Sequence, residues 1–152
     1  MSPAETTQAL HGSAVLVGPA GVLVCGPSGS GKSSLVLALL MGSGGSARLV
    51  ADDQVVVSAR DGRLFADVPP PLAGLLEIRG QGIVRLPFRA PVAVRLVVEF
   101  RPIGECPRLP NAEERLTTRA GVSLPLLTLP IGSSDGAMRV IAALTMRALD
   151  DA

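Results

Sequence analysis

Gly26-Pro27-Ser28-Gly29-Ser30-Gly31-Lys32-Ser33 is a complete phosphate-binding loop, and its flanks supply the setting the motif requires. Gly21-Val22-Leu23-Val24-Cys25 reads as a short buried strand ahead of it. Ser34-Leu35-Val36-Leu37-Ala38-Leu39-Leu40 reads as a helix behind it, ending near Met41 because Gly42-Ser43-Gly44-Gly45-Ser46 cannot continue it. The glycines let backbone N–H groups turn inward around phosphate oxygens, and the helix N-terminus adds unpaired donors and the positive end of its dipole. Lys32 is a mobile cation for β- and γ-phosphates, and the Ser33 hydroxyl is a ligand for Mg²⁺. The expected ligand is a nucleoside triphosphate or another polyphosphate.

The chain has 152 residues, of which 47% are hydrophobic, so one domain spanning 1–152 with a real core is expected. With three Phe and no Tyr or Trp, that core must be built from Val, Leu, Ile and Ala. A net charge of +1 with mixed signs leaves no basic stripe, and no aromatic platform is available for stacking bases, which argues against nucleic-acid binding. Cys25 and Cys106 lie far apart in sequence and suggest neither a disulfide framework nor a metal site; a reducing, cytoplasmic compartment fits. Met1-Ser2-Pro3-Ala4-Glu5 has no secretory pattern, and Gly and Pro interrupt every apolar run before it reaches membrane-spanning length.

Short strand-like runs dominate the rest. Ala14–Val17 and Val22–Val24 flank the turn Gly18-Pro19-Ala20-Gly21; Arg48–Ala51 follows the helix; Val55–Ala59 and Arg63–Ala66 are joined by Asp61-Gly62, a hairpin signal. Pro69-Pro70-Pro71 breaks the pairing, Val92–Phe100 is the most β-like run, and Arg101–Arg115 reads as a long exposed loop. Residues 135–149 carry an apolar helical pattern with Ser134 or Asp135 as cap. The fold class expected is α/β: a P-loop-containing mixed β-sheet core with the P-loop helix on one side and the C-terminal helix packed against it.

P-loop enzymes place a carboxylate at the end of a neighbouring strand, and Asp52 and Asp53 follow Arg48–Ala51 in that position. Adjacent acids point in different directions, so one serves a metal and the other a proton; the plainer alternative is an Asp-favoured turn. In Leu75-Leu76-Glu77-Ile78-Arg79-Gly80-Gln81-Gly82-Ile83, Glu77 and Arg79 share one face of an extended segment. On periodicity alone they form a surface cross-pair on an edge strand.

Taken in order and spacing, His11-Gly12, Gly21–Val24, the P-loop, Arg48-Leu49-Val50-Ala51-Asp52-Asp53 and Leu76-Glu77-Ile78-Arg79-Gly80-Gln81-Gly82-Ile83 resemble HPr kinase/phosphorylase over about positions 10 to 130. The resemblance is to the catalytic domain alone, a short form with a phosphoenolpyruvate-carboxykinase-like kinase fold. It implies ATP-dependent phosphorylation of a serine on the phosphocarrier protein HPr, with Mg²⁺, and the reverse phosphorolysis by phosphate to give pyrophosphate. It implies Asp53 as the proton-handling carboxylate and His11 as its orienting partner. Asp52, Ser33 and Glu77 are the implied oxygen ligands near the metal, with Glu77 and Arg79 on the rim. Arg115 is implied as a phosphate binder across the site or a subunit boundary, within a homohexamer. Departures are Pro27 where the family has Asp, Ser34 where it has Glu, a shortened Phe88-Arg89-Ala90-Pro91, and Ile131-Gly132-Ser133-Ser134-Asp135-Gly136 in place of a Gly-Arg-Asn string. Two other functions fit the residues: a metabolite kinase with a lid of Arg101, Arg108, Arg115 and Arg119, or a nucleotide-binding module without catalysis.

Overall fold

Val22, Leu23 and Val24 have no exposed surface at all, so the strand before the P-loop is covered on both faces. That burial explains a continuous apolar run without alternation. The computed structural model describes residues 6–149; Met1–Glu5, on which the absence of a secretory pattern was read, lie outside them. In chain order the elements are β1 (Thr6–His11), β2 (Ser13–Val17), β3 (Ala20–Cys25), α1 (Lys32–Gly42), β4 (Ala47–Ala51), β5 (Gln54–Arg60) and β6 (Arg63–Asp67). Then come β7 (Leu75–Ile78), β8 (Gly82–Arg85), β9 (Val92–Arg101), β10 (Leu116–Arg119), β11 (Val122–Pro130) and α2 (Gly136–Thr145).

The large sheet runs β1-β5-β6-β9-β3-β2-β4, with β11 and then β10 added on β9. β9 is parallel to both β3 and β11, and the remaining pairs are antiparallel, so the sheet is mixed as expected. One face of β3 (Val22, Val24) packs with Leu35, Val36 and Leu39 of α1 and Val140 of α2; the other (Leu23) packs with Val55, Val57 and Leu64 of the curled outer strands. α1 and α2 lie on the same side, in contact.

β9 organises this arrangement through an irregularity. Its register against β3 shifts between Gly21 and Val22, so Arg95 is the extra residue. Before the shift Val92 and Val94 join the β5–β6 layer; after it Leu96, Val98 and Phe100 face the helices. A bulge of this kind reverses which side chains face which layer. The same edge of β9 therefore serves β6 at Val92–Ala93 and β11 at Val97–Arg101.

Several elements depart from expectation. The C-terminal helix stops at Thr145, and Met146 is extended at φ −120°, ψ 139°. Met146 and Leu149 are exposed, and helix propensity alone does not hold a turn with nothing to pack against. Neither Ser134 nor Asp135 caps α2 with its side chain. β1 carries polar Thr6, Thr7 and Gln8, and β11 contains Pro125 and Pro130, so neither shows a strand pattern in sequence. Arg101 belongs to β9, and the loop after it holds two single 3₁₀ turns, Ile103–Glu105 and Glu113–Arg115. The expected four-residue turn shrinks to Gly18-Pro19, because Ala20 and Gly21 already belong to β3, with Val17 facing Ala20 across it. No helix among the described residues is long and apolar enough to cross a membrane.

Candidate functional site

The loop Gly26–Ser33 leaves the end of β3 where no side chain fits. At Gly26 φ is +154°, and a Cβ there would lie 2.7 Å from Ser30 Oγ and 2.9 Å from Phe100 Cβ. Phe100 of β9 thus forms the floor of the loop, and its ring also lies beside Gly31. Lys32 is buried and curls under the loop, donating from Nζ to the carbonyls of Gly26 at 2.8 Å and Pro27 at 2.9 Å. Pro27 has no N–H to offer phosphate, yet its carbonyl also accepts the Ser30 N–H at 3.1 Å and tightens the loop.

Asp52 stands immediately after β4. Its Oδ1 accepts from Ser33 Oγ at 2.8 Å and Ser13 Oγ at 2.9 Å, and all three side chains are wholly or largely buried. A P-loop hydroxyl beside a strand-end carboxylate is a pair of hard oxygen donors suited to Mg²⁺. Among the described residues no group of three or more His, Cys, Asp or Glu forms a metal cluster.

Asp53 points the other way, as adjacency demands, and its side chain is 70% exposed. Its φ is +69°, and the Gln54 N–H closes on the Asp52 carbonyl at 2.8 Å, forming a three-residue γ-turn centred on Asp53. Such a conformation costs on the order of 1–3 kcal/mol and is tolerated by Asp more readily than by most residues. The Gly12 N–H holds the Asp53 carbonyl at 3.1 Å. His11, the last residue of β1, bridges Asp53 and the loop: Nδ1 lies 3.5 Å from Asp53 Oδ1, and Nε2 lies 3.3 Å from Ser28 Oγ.

A cavity of about 420 Å³ opens over the loop and the start of α1. Glu77, from β7, and Arg79, from the turn after it, both face it, as does the segment Gly132–Ser134. That segment is tied to the loop by the Gly132 N–H, which donates to the Ser30 carbonyl at 3.0 Å. Ser133 Oγ donates to Asp135 Oδ1 at 2.7 Å, and this bond, with the charge of Arg139 at 3.7 Å, holds the Asp135 carboxyl below the usual carboxylate range. Burial, which is slight there, opposes the effect.

The structure therefore gathers the P-loop, Asp52, Asp53 and His11, while Glu77 and Arg79 share the cavity with Lys32 and Ser33. It does not bring Arg115 to them. Arg115 closes the 3₁₀ turn before β10 and sits with Thr145 and Arg147 near the C-terminal end of α2. That end is separated from the helix start by ten residues, about 15 Å at the rise of an α-helix.

One cluster beside the loop was not legible as a site. Glu99 of β9, the cross-strand partner of Cys25, accepts from Arg101 Nε at 2.6 Å and Arg119 at 2.7 Å. Arg119 also bonds Thr117 Oγ1. With both guanidiniums fixed on one carboxylate, Arg101 and Arg119 are strand residues and not parts of a swinging lid. The only hint in sequence is a single acid near the end of the apolar run Val92–Phe100. Burial pushes the Glu99 carboxyl up, but the hydrogen bonds and charges of Arg101 and Arg119 outweigh it, and the net shift is down. A depressed carboxylate contributes stability above its unfolded pKa, and that contribution is lost as pH falls through the folded value. Glu99→Gln is therefore expected to lower stability at neutral pH by roughly 1 kcal/mol. It should also flatten the loss of stability below about pH 5. Denaturant titrations of both proteins at a series of pH values check this; parallel curves would contradict it.

Comparison with known proteins adds independent information. The family model described as HPr Serine kinase C-terminal domain matches residues 3–150. The HPr kinase/phosphorylase of Xylella fastidiosa is 37% identical over 141 residues, covering 80% of this chain and 42% of that protein. The HPr kinase/phosphorylase of Clostridium tetani is 42% identical over 78 residues, covering 51% of this chain and 25% of that protein. The chain thus spans less than half the length of these relatives. The solved structure of the Hpr(Ser) kinase/phosphatase from Coxiella burnetii superposes with a TM-score of 0.76 at 23% identity, covering 90% of this chain and 93% of that one, and has the same fold.

Proposed function

Because this chain belongs to the HPr serine kinase C-terminal domain family, we propose that it transfers the γ-phosphoryl group of ATP to a serine of the phosphocarrier HPr in the cytoplasm, and that phosphate drives the reverse reaction. The observation that carries this reading is the division of labour between adjacent acids. Asp52 is buried on Ser33, while Asp53 is exposed, conformationally fixed and joined through His11 to Ser28 of the loop. An acceptor hydroxyl arriving from solvent meets Asp53, the one of the two that has no hydroxyl bound to it and is open to take a proton.

Ser33 and Asp52 would hold Mg²⁺ together with the ATP phosphates, with Glu77 on the rim of the cavity; the ion neutralises charge on the transferring group. Lys32 exchanges loop carbonyls for phosphate oxygens, and Arg79 supplies a second cation to the same cavity. Arg115 enters phosphorolysis only across a subunit boundary, within the homohexamer proposed from the family resemblance.

Incubation of the chain with HPr and γ-labelled ATP is expected to place label on an HPr serine, and added phosphate should release it as pyrophosphate. Transfer to a small metabolite with none to HPr would replace this function with that of a metabolite kinase. ATP binding without transfer to any acceptor would leave a nucleotide-binding module.

A further inference from the structure

Gly132, Ser133 and Ser134 line the cavity together with Lys32 and Ser33, and the Ser133 hydroxyl is already paired with the carboxylate of Asp135, which lies outside the lining. Ser133 Oγ is 2.7 Å from Asp135 Oδ1, the relation expected of an oxygen nucleophile and the base that takes its proton. The backbone bond from Gly132 to Ser30 fixes this wall against the P-loop, so the pair is anchored to the element that holds the phosphates. Ser134 also borders the cavity but makes no side-chain hydrogen bond among the described residues. The pair has no part in the reaction proposed above, whose acceptor approaches Asp53.

We propose that the chain phosphorylates itself on Ser133, using γ-phosphate bound in its own cavity, with Asp135 as the base. Transfer to Ser133 rests on the ATP site proposed above. Ser133 Oγ forms a bond to the γ-phosphorus while the bond from that phosphorus to the β,γ-bridging oxygen breaks. ADP leaves with the electron pair, and the hydroxyl proton passes to Asp135. The products are ADP and phosphoserine at position 133. The new phosphate sits three residues before Gly136, the first residue of α2, where helix N-terminal N–H groups favour an anion, on the cavity that Lys32 and Arg79 also line. It therefore occupies space that the γ-phosphate of the next ATP needs. Modification is self-limiting, and it slows transfer to any other acceptor.

The test is incubation of the full chain with γ-labelled ATP and Mg²⁺, without HPr, followed by intact mass and peptide mapping. ATP binding is measured on the same preparation by equilibrium dialysis. The expected result is one phosphoryl group per chain, on Ser133, at a rate per chain that does not change on tenfold dilution. Ser133→Ala should remove the label, Ser133→Thr should yield phosphothreonine at the same position, and Asp135→Asn should slow labelling by about 10²-fold. Label on Ser134 or elsewhere would overturn the assignment, as would a rate per chain that rises with concentration. ATP bound without any labelling would overturn self-phosphorylation and leave the ATP site standing. No ATP bound at all would overturn both.

Discussion

Lys32→Ala is expected to reduce ATP-dependent phosphorylation of HPr to background. The Lys32 ammonium is held in the loop by two carbonyls at 2.8 and 2.9 Å, so it is already positioned where phosphate oxygens of a bound triphosphate arrive. Charge stabilisation by such clamps is the largest contribution to phosphoryl transfer, and removing one costs about 3–4 kcal/mol, or 10²–10³-fold in rate. Loss of ATP affinity compounds the effect. Steady-state kinetics with labelled ATP, beside a thermal melt to show that the fold persists, measures it. Near-normal turnover in the variant would remove the P-loop from the mechanism.

Asp53→Asn is expected to lower transfer by roughly 10²–10⁴-fold in both directions while ATP binding persists. The amide keeps the size of the carboxylate and cannot take a proton. Asn also tolerates the left-handed backbone that Asp53 adopts at φ +69°, so the γ-turn survives the change. Asp52→Asn provides the contrast. It perturbs a buried acceptor shared by Ser13 and Ser33, so stability falls together with activity. The decisive measurement is the ratio of kcat loss to loss of melting temperature in the two variants. Full activity in Asp53→Asn with none in Asp52→Asn would exchange the two roles.

Much of the candidate site was legible because its chemistry is local. The loop Gly26–Ser33 needs a strand before it and a helix after it, and both are written in adjacent residues. Asp52 and Asp53 must diverge because they are neighbours, and the structure separates them into a buried and an exposed carboxylate. The Asp61-Gly62 hairpin and the apolar run at Val92–Phe100 were equally readable, since turn chemistry and strand propensity act over a few residues.

Contacts between residues distant in sequence were not legible. Glu99, Arg101 and Arg119 meet only because β10 and β11 return to the end of β9, and β11 hides behind two prolines. The resemblance implies Arg115 as a phosphate binder across the site or a subunit boundary; within one chain it lies with Thr145 and Arg147 near the C-terminal end of α2. Ser134 or Asp135 reads as the cap of a helix; in the structure Asp135 instead accepts from Ser133, and the neighbouring Gly132 ties this segment to the P-loop. The amino-acid sequence by itself determined the phosphate loop, the mixed α/β class and the two acids, because backbone freedom, burial and turn geometry are settled within a few residues. Only the tertiary structure decided which distant cations and hydroxyls surround them. That choice depends on the register of β9, where one inserted residue, Arg95, reverses the facing of the strand and selects its neighbours.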